Sequence, residues 1–77
     1  MSDAEYEVIK KTFPAWAEEV IKAAAERVKY KFPDNNYSYY GGVLIGLGNA
    51  MLATKQCGDA FDFIDKAVEI ARKSAVA

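Results

Sequence analysis

From Asn35 to Thr54 the chain runs for 20 residues without a charged side chain, and four of those residues are glycines: NNYSYYGGVLIGLGNAMLAT. All 10 basic and 11 acidic residues lie on either side of this stretch. A neutral segment between charged flanks has few ways to fold. Twenty residues could just cross a hydrocarbon layer of about 30 Å, but Asn35, Asn36, Ser38, Asn49 and Thr54 interrupt the run. Its apolar part, 41–53, has the length of a buried core helix, so a membrane partner is not expected.

Loop chemistries fail on single residues. Gly46-x-Gly48 starts a dinucleotide fingerprint, but Met51 stands where a third glycine or alanine belongs. Gly41 and Gly46 have the spacing of a phosphate loop, but Leu47 replaces the lysine. Asp34, Asn36 and Ser38 open a calcium-loop pattern that Tyr39 and Ile45 break, at the glycine and closing glutamate positions. A strand pair over GGVLIGLG is the local alternative, because short apolar runs are ambiguous by period.

The helical reading makes most sense of the pattern. Gly42, Gly46, Ala50 and Thr54 are four apart and form a strip of small residues. Such a strip lets another helix approach closer than the usual 8–10 Å between axes. Val43, Leu44, Leu47 and Met51 are then expected in the core, and a helix apolar almost all round is expected to be enclosed on every side. The opposing cost is roughly 1 kcal/mol for each interior glycine.

The flanks read as amphipathic helices. Ser2-x-x-Glu5 is a capping box. Tyr6, Ile9, Phe13, Trp16, Ala17, Val20, Ala24 and Val28 then follow in steps of mostly three and four, with Glu7–Lys11 and Glu18–Lys22 pairs on the wet side. Pro14 cannot donate to a helical ladder, so this segment is bent there or splits at Thr12–Phe13, with Thr12 available as a cap. It is expected to end near Lys31, before Phe32–Pro33 and a PDNN turn. Gly58 suits a helix stop and Asp59 an N-cap, with Asp62 in the first turn. Phe61, Phe63, Ile64, Ala67, Val68, Ile70 and Ala71 give the last helix an apolar arc about half its circumference. The sequence therefore predicts one all-α domain over 1–77. It is a three-helix or kinked four-segment bundle, bent at Pro14, with a buried glycine-rich central helix and fraying at 1–2 and 74–77.

A chain of 77 residues buries only about 60% of its unfolded surface. Its one cysteine cannot form an internal disulfide, and with no histidine and one thiol no metal site is expected. A homodimer is the remaining way to enlarge the core. The same inventory points away from catalysis: no histidine base exists and Cys57 stands near a helix C-terminus, where thiolate is disfavoured. No catalytic residue, cofactor or small-molecule substrate is inferred. The N-terminus lacks the apolar core of a secretory signal, and a lone cysteine fits a reducing compartment, so a cytoplasmic location is expected.

Tyr30, Phe32, Tyr37, Tyr39 and Tyr40 crowd one turn. Aromatics of this kind are enriched in binding hot spots, and they also serve to close the end of a bundle. The expectation is a small interaction protein, homodimeric, acting as adaptor or inhibitor of a larger protein. The alternatives are a nucleic-acid accessory using Arg27–Tyr40, whose mixed charges count against it, and an apolar-ligand carrier with its ligand between the central helix and Trp16.

Overall fold

The computed structural model describes residues 1–31 and 37–76. Four α-helices follow in order: α1 (Asp3–Thr12), α2 (Pro14–Lys29), α3 (Gly42–Thr54) and α4 (Ala60–Val76), with a 3₁₀ turn at Tyr37–Tyr40 before α3. No strand occurs among the described residues. The fold is the small all-α bundle that the periodicity predicts. Phe32 and the PDNN turn lie outside the described residues.

Both halves of the predicted capping box form. The Glu5 amide donates to Ser2 Oγ at 3.1 Å and the Ser2 amide to Glu5 Oε1 at 3.2 Å. Ser2 is thus the N-cap of α1, and Met1 packs partly against the core. Pro14 produces two helices and not one kinked rod. Phe13 is the break (φ −128°, ψ 64°), and Pro14 takes the first position of α2, where its missing N–H costs nothing. Thr12 does not cap α2; its hydroxyl donates back to the Val8 carbonyl at 2.8 Å. Glu7 pairs with Lys10 at 3.4 Å and not with the expected Lys11.

The helices meet on an aromatic centre. Tyr6 of α1 stacks on Phe63 of α4 (centroids 4.9 Å apart), and Trp16 of α2 leans on the same ring at 5.0 Å. Asp3 also reaches Lys66 at 2.7 Å, so α1 runs antiparallel to α4. Ile9, Val20, Ala24, Ile64 and Ala67 are buried around this centre. Arg27 continues the buried row of α2 at 2% exposure.

Burial within α3 corrects the sequence reading. Only Gly48 and Leu52 are buried, with Leu44, Ile45, Asn49 and Met51 half-buried. Val43, expected in the core, is 85% exposed, and Leu47 is 51% exposed. The helix is therefore not enclosed; it lies on the bundle along one edge. The close approach to α2 occurs at Gly48. A methyl placed there would stand 2.6 Å from Trp16 Cε2, nearer still to Cζ2, and 3.0 Å from the Ala60 methyl. The Trp16 indole N–H also donates to the Leu44 carbonyl at 2.9 Å.

The ends of α3 are built by backbone geometry. Gly41 is its N-cap with φ +72°, a left-handed value that favours glycine. At the other end the Cys57 amide bonds the Leu52 carbonyl and the Gln56 amide the Ala53 carbonyl, a Schellman pattern. The left-handed residue of that pattern is Gln56 (φ +53°), and not the predicted stop, Gly58, which stands two residues on with φ +88°. Asp59 caps α4 as expected, accepting from the Asp62 amide at 3.0 Å. Asn49 accepts from the Ala60 amide at 2.9 Å, so α3 helps to cap α4.

Two glycines in one helix should therefore respond in opposite ways. Gly48→Ala is expected to destabilise the fold by about 1–3 kcal/mol through overpacking. Gly46→Ala, which meets nothing within 4 Å, is expected to stabilise it by up to about 1 kcal/mol through helix propensity. Urea titration at low micromolar protein measures both. Gln56→Gly relieves a side chain held in the left-handed region and is expected to raise stability by about 0.5–1 kcal/mol.

Candidate interaction surface

An α-helix turns about 100° per residue, so positions four apart stay on one side and positions two apart fall on opposite sides. In α3 this divides the residues cleanly. Gly42, Val43, Gly46, Leu47, Ala50, Ala53 and Thr54 face solvent, and the residues from Leu44 to Leu52 named above face the bundle. The predicted contact strip, Gly42, Gly46, Ala50 and Thr54, lies within this outer face. Among the described residues, a methyl placed on Gly42 or Gly46 would meet no atom within 4 Å beyond its chain neighbours and its own helix backbone. Thr54, at the end of the strip, turns its hydroxyl back to the Met51 carbonyl at 2.6 Å.

The outer face has two parallel rows. Small residues at 42, 46 and 50 form a shallow channel, and Val43 and Leu47 form a ridge beside it. No residue of α3 is charged. Scattered exposed apolar side chains are ordinary, but a contiguous neutral face on a helix is the pattern of an enclosed one.

The tyrosine end is differently built. Tyr37 donates its hydroxyl to Asp65 at 2.7 Å and sets its ring edge-on to Phe61. Tyr39 donates to Glu26 at 2.8 Å and meets Tyr40 edge-on at 5.6 Å. Tyr40 is buried, and the Arg27 guanidinium lies over both the Tyr40 and Tyr37 rings at 5.7 and 5.9 Å, a cation–π arrangement. Tyr37, Tyr39 and Tyr40 thus close the bundle end, tying the 3₁₀ turn to α2 and α4. Of the five aromatics predicted to meet a partner, Tyr30 is the exposed one, at 62%; Phe32 lies outside the described residues.

Arg27 was legible in the sequence as a basic group in a possible base-stacking cluster, yet it is buried. Its spacing carries the missing signal: Val20, Ala24 and Arg27 are four and three apart, on the apolar side of α2. Arg27 is thus inside, and the Tyr37 and Tyr39 hydroxyls are bonded to Asp65 and Glu26. The proposed ligand space between α3 and Trp16 is filled by the indole seated on Gly48. A separate open groove of about 580 Å³ lies between α2 and α4, walled by Ile21, Ala25, Val28, Ile70 and Ala71, with Lys29 and Ser74 among its polar groups.

Chemistry-bearing groups are sparse. Cys57 is half-buried, its thiol donating to the Lys55 carbonyl at 3.3 Å. Among the described residues, no group of three Cys, Asp or Glu side chains gathers to hold a metal ion. No described helix is long and apolar enough to cross a membrane. The class defined by this geometry is a small helical bundle with one open neutral face. No protein-family model matches the chain, and no curated protein or solved structure matches it at a significant level.

The tyrosine–carboxylate bonds carry a pH signature. The bond to Asp65, with partial burial, pushes the Tyr37 phenol up from 10.0 to about 12. Loss of solvent contact and then the bond to Glu26 push Tyr39 to about 12 as well. A phenol whose folded pKa is raised stabilises the fold fully below its unfolded value and loses that contribution as pH rises through the folded one. The anchoring of the 3₁₀ turn is therefore expected to weaken between pH 10 and about 12. Phenolate absorbance should show a late-titrating class, reduced by one in Tyr37→Phe.

Proposed function

We propose that this chain is a small protein-interaction module, of the adaptor or inhibitor kind, that docks through the outer face of α3. The supporting observation is the neutral ridge of Val43, 85% exposed, and Leu47, 51% exposed, on a helix that touches its own bundle along one edge only. Full burial of a valine or leucine contributes about 1.5–3 kcal/mol, so covering this ridge is a substantial driving force for association. The tyrosine cluster supports the reading indirectly. It holds the bundle end closed and so fixes where α3 begins. No enzymatic role is proposed, since the lone thiol hydrogen-bonds a helix-end carbonyl and histidine is absent. A cytoplasmic setting is part of the proposal, because a free cysteine persists reduced there.

The test is a paired substitution, Val43→Glu with Leu47→Glu. Both side chains point to solvent, so helicity, and the melting temperature at high dilution, are expected to hold. Quantitative affinity capture from the native cell is expected to lose the specific partners recovered with wild type, whereas Glu19→Lys on exposed α2 keeps them. Identical recovery by wild type and the double variant would refute the α3 reading.

A further inference from the structure

We infer that the outer face of α3 is closed by the same face of a second copy of this chain, the two helices crossing on a two-fold axis beside Gly46. The inference rests on the reading of that face as a docking surface, and it names the occupant.

Charge selects the partner first. The thirteen residues of α3 span about 20 Å without an ionic group. Any surface pressed along that length must itself be neutral, or it leaves a charge desolvated and unpaired. On this chain all charged residues lie outside 35–54, so α3 is its own electrostatic match. The groove between α2 and α4 is not one, because Lys29 lines it and would be buried against a neutral helix.

Shape selects the arrangement. The Val43–Leu47 ridge and the 42–46–50 channel are adjacent rows of i,i+4 residues. When such rows of two helices interdigitate, the axes cross at about −50°. A two-fold axis near Gly46 then seats each ridge in the other copy's channel, so that one surface is both knob and hole, as an isologous contact requires. The backbone at Gly46 is open to this approach, with nothing within 4 Å of a methyl placed there.

Area sets the strength. One face of a helix this long buries a few hundred Å² per copy, short of the roughly 800 Å² per partner in standard stable interfaces. The dimer is therefore reversible and weak, in the micromolar range, and visible as a melting temperature that rises with concentration.

Sedimentation equilibrium from low micromolar to millimolar protein tests this together with a cross-link. In a Cys57→Ser background, Gly46→Cys places one thiol beside the axis, where two copies bring their Cα atoms within the roughly 4.4–6.8 Å that a disulfide spans. Expected are a monomer–dimer equilibrium, rapid intermolecular oxidation at 46 but not in Glu19→Cys, and a monomer for Val43→Glu/Leu47→Glu with unchanged helicity. A wild-type monomer at millimolar concentration overturns the inference, while the capture experiment still decides the broader α3 reading. A dimer that survives the double glutamate variant, or does not cross-link at 46, overturns it too, since another surface or crossing then joins the copies.

Discussion

The structure depends on one contact: the indole of Trp16 lying against the bare backbone of Gly48. Removing a side chain at that point lets α3 come within van der Waals reach of α2, and the indole N–H fixes the distance by bonding the Leu44 carbonyl. The same tryptophan leans on Phe63, which stacks on Tyr6. Three helices thus register against one another through a single aromatic stack, and the fourth is placed by the notch beside it. Lost glycine propensity at position 48, roughly 1 kcal/mol, is offset by a contact that no other residue type permits.

An arrangement hung on one edge has consequences for the rest of α3. Leu52 and Gly48 are its only buried residues, and Asn49 turns inward to cap α4. Among the described residues, nothing buries the far side, where Val43 and Leu47 stand exposed. The outer ridge is therefore a by-product of how the helix is anchored, and the absence of charge along it is what makes it a candidate contact. Meanwhile three aromatic residues of the turn, Tyr37, Tyr39 and Tyr40, are spent on closure: two phenols grip carboxylates on α2 and α4, and a third shields a buried guanidinium.

How much of this the sequence carried varied with the strength of each local signal. Helix type, the Ser2–Glu5 capping box and the Asp59 cap were legible because they depend on residues a few positions apart. The rows of α1, α2 and α4 were legible because polar residues mark their wet sides. On α3 no such marks exist. A helix apolar all round gives no phase, and small residues at 42, 46 and 50 suggested one side while the fold used Gly48, about 200° away. Only the position of Trp16 in space breaks that tie. The charged row on α2 misled in the opposite sense: Arg27 has apolar spacing, but its charge argued for solvent until Tyr37 and Tyr40 supplied faces to cover it. Gln56 in place of a glycine concealed the Schellman stop in the same way.

The seat of Trp16 can be observed directly by proton NMR, as a nuclear Overhauser contact together with the exchange rate of the indole N–H. A strong cross-peak is expected between the indole ring and the Gly48 α-protons, with an indole proton exchanging only through unfolding of the α2–α3 contact. Cross-peaks from the ring to Gly42 or Gly46 within the monomer, or an indole proton exchanging at the rate of free solvent, would contradict that seat.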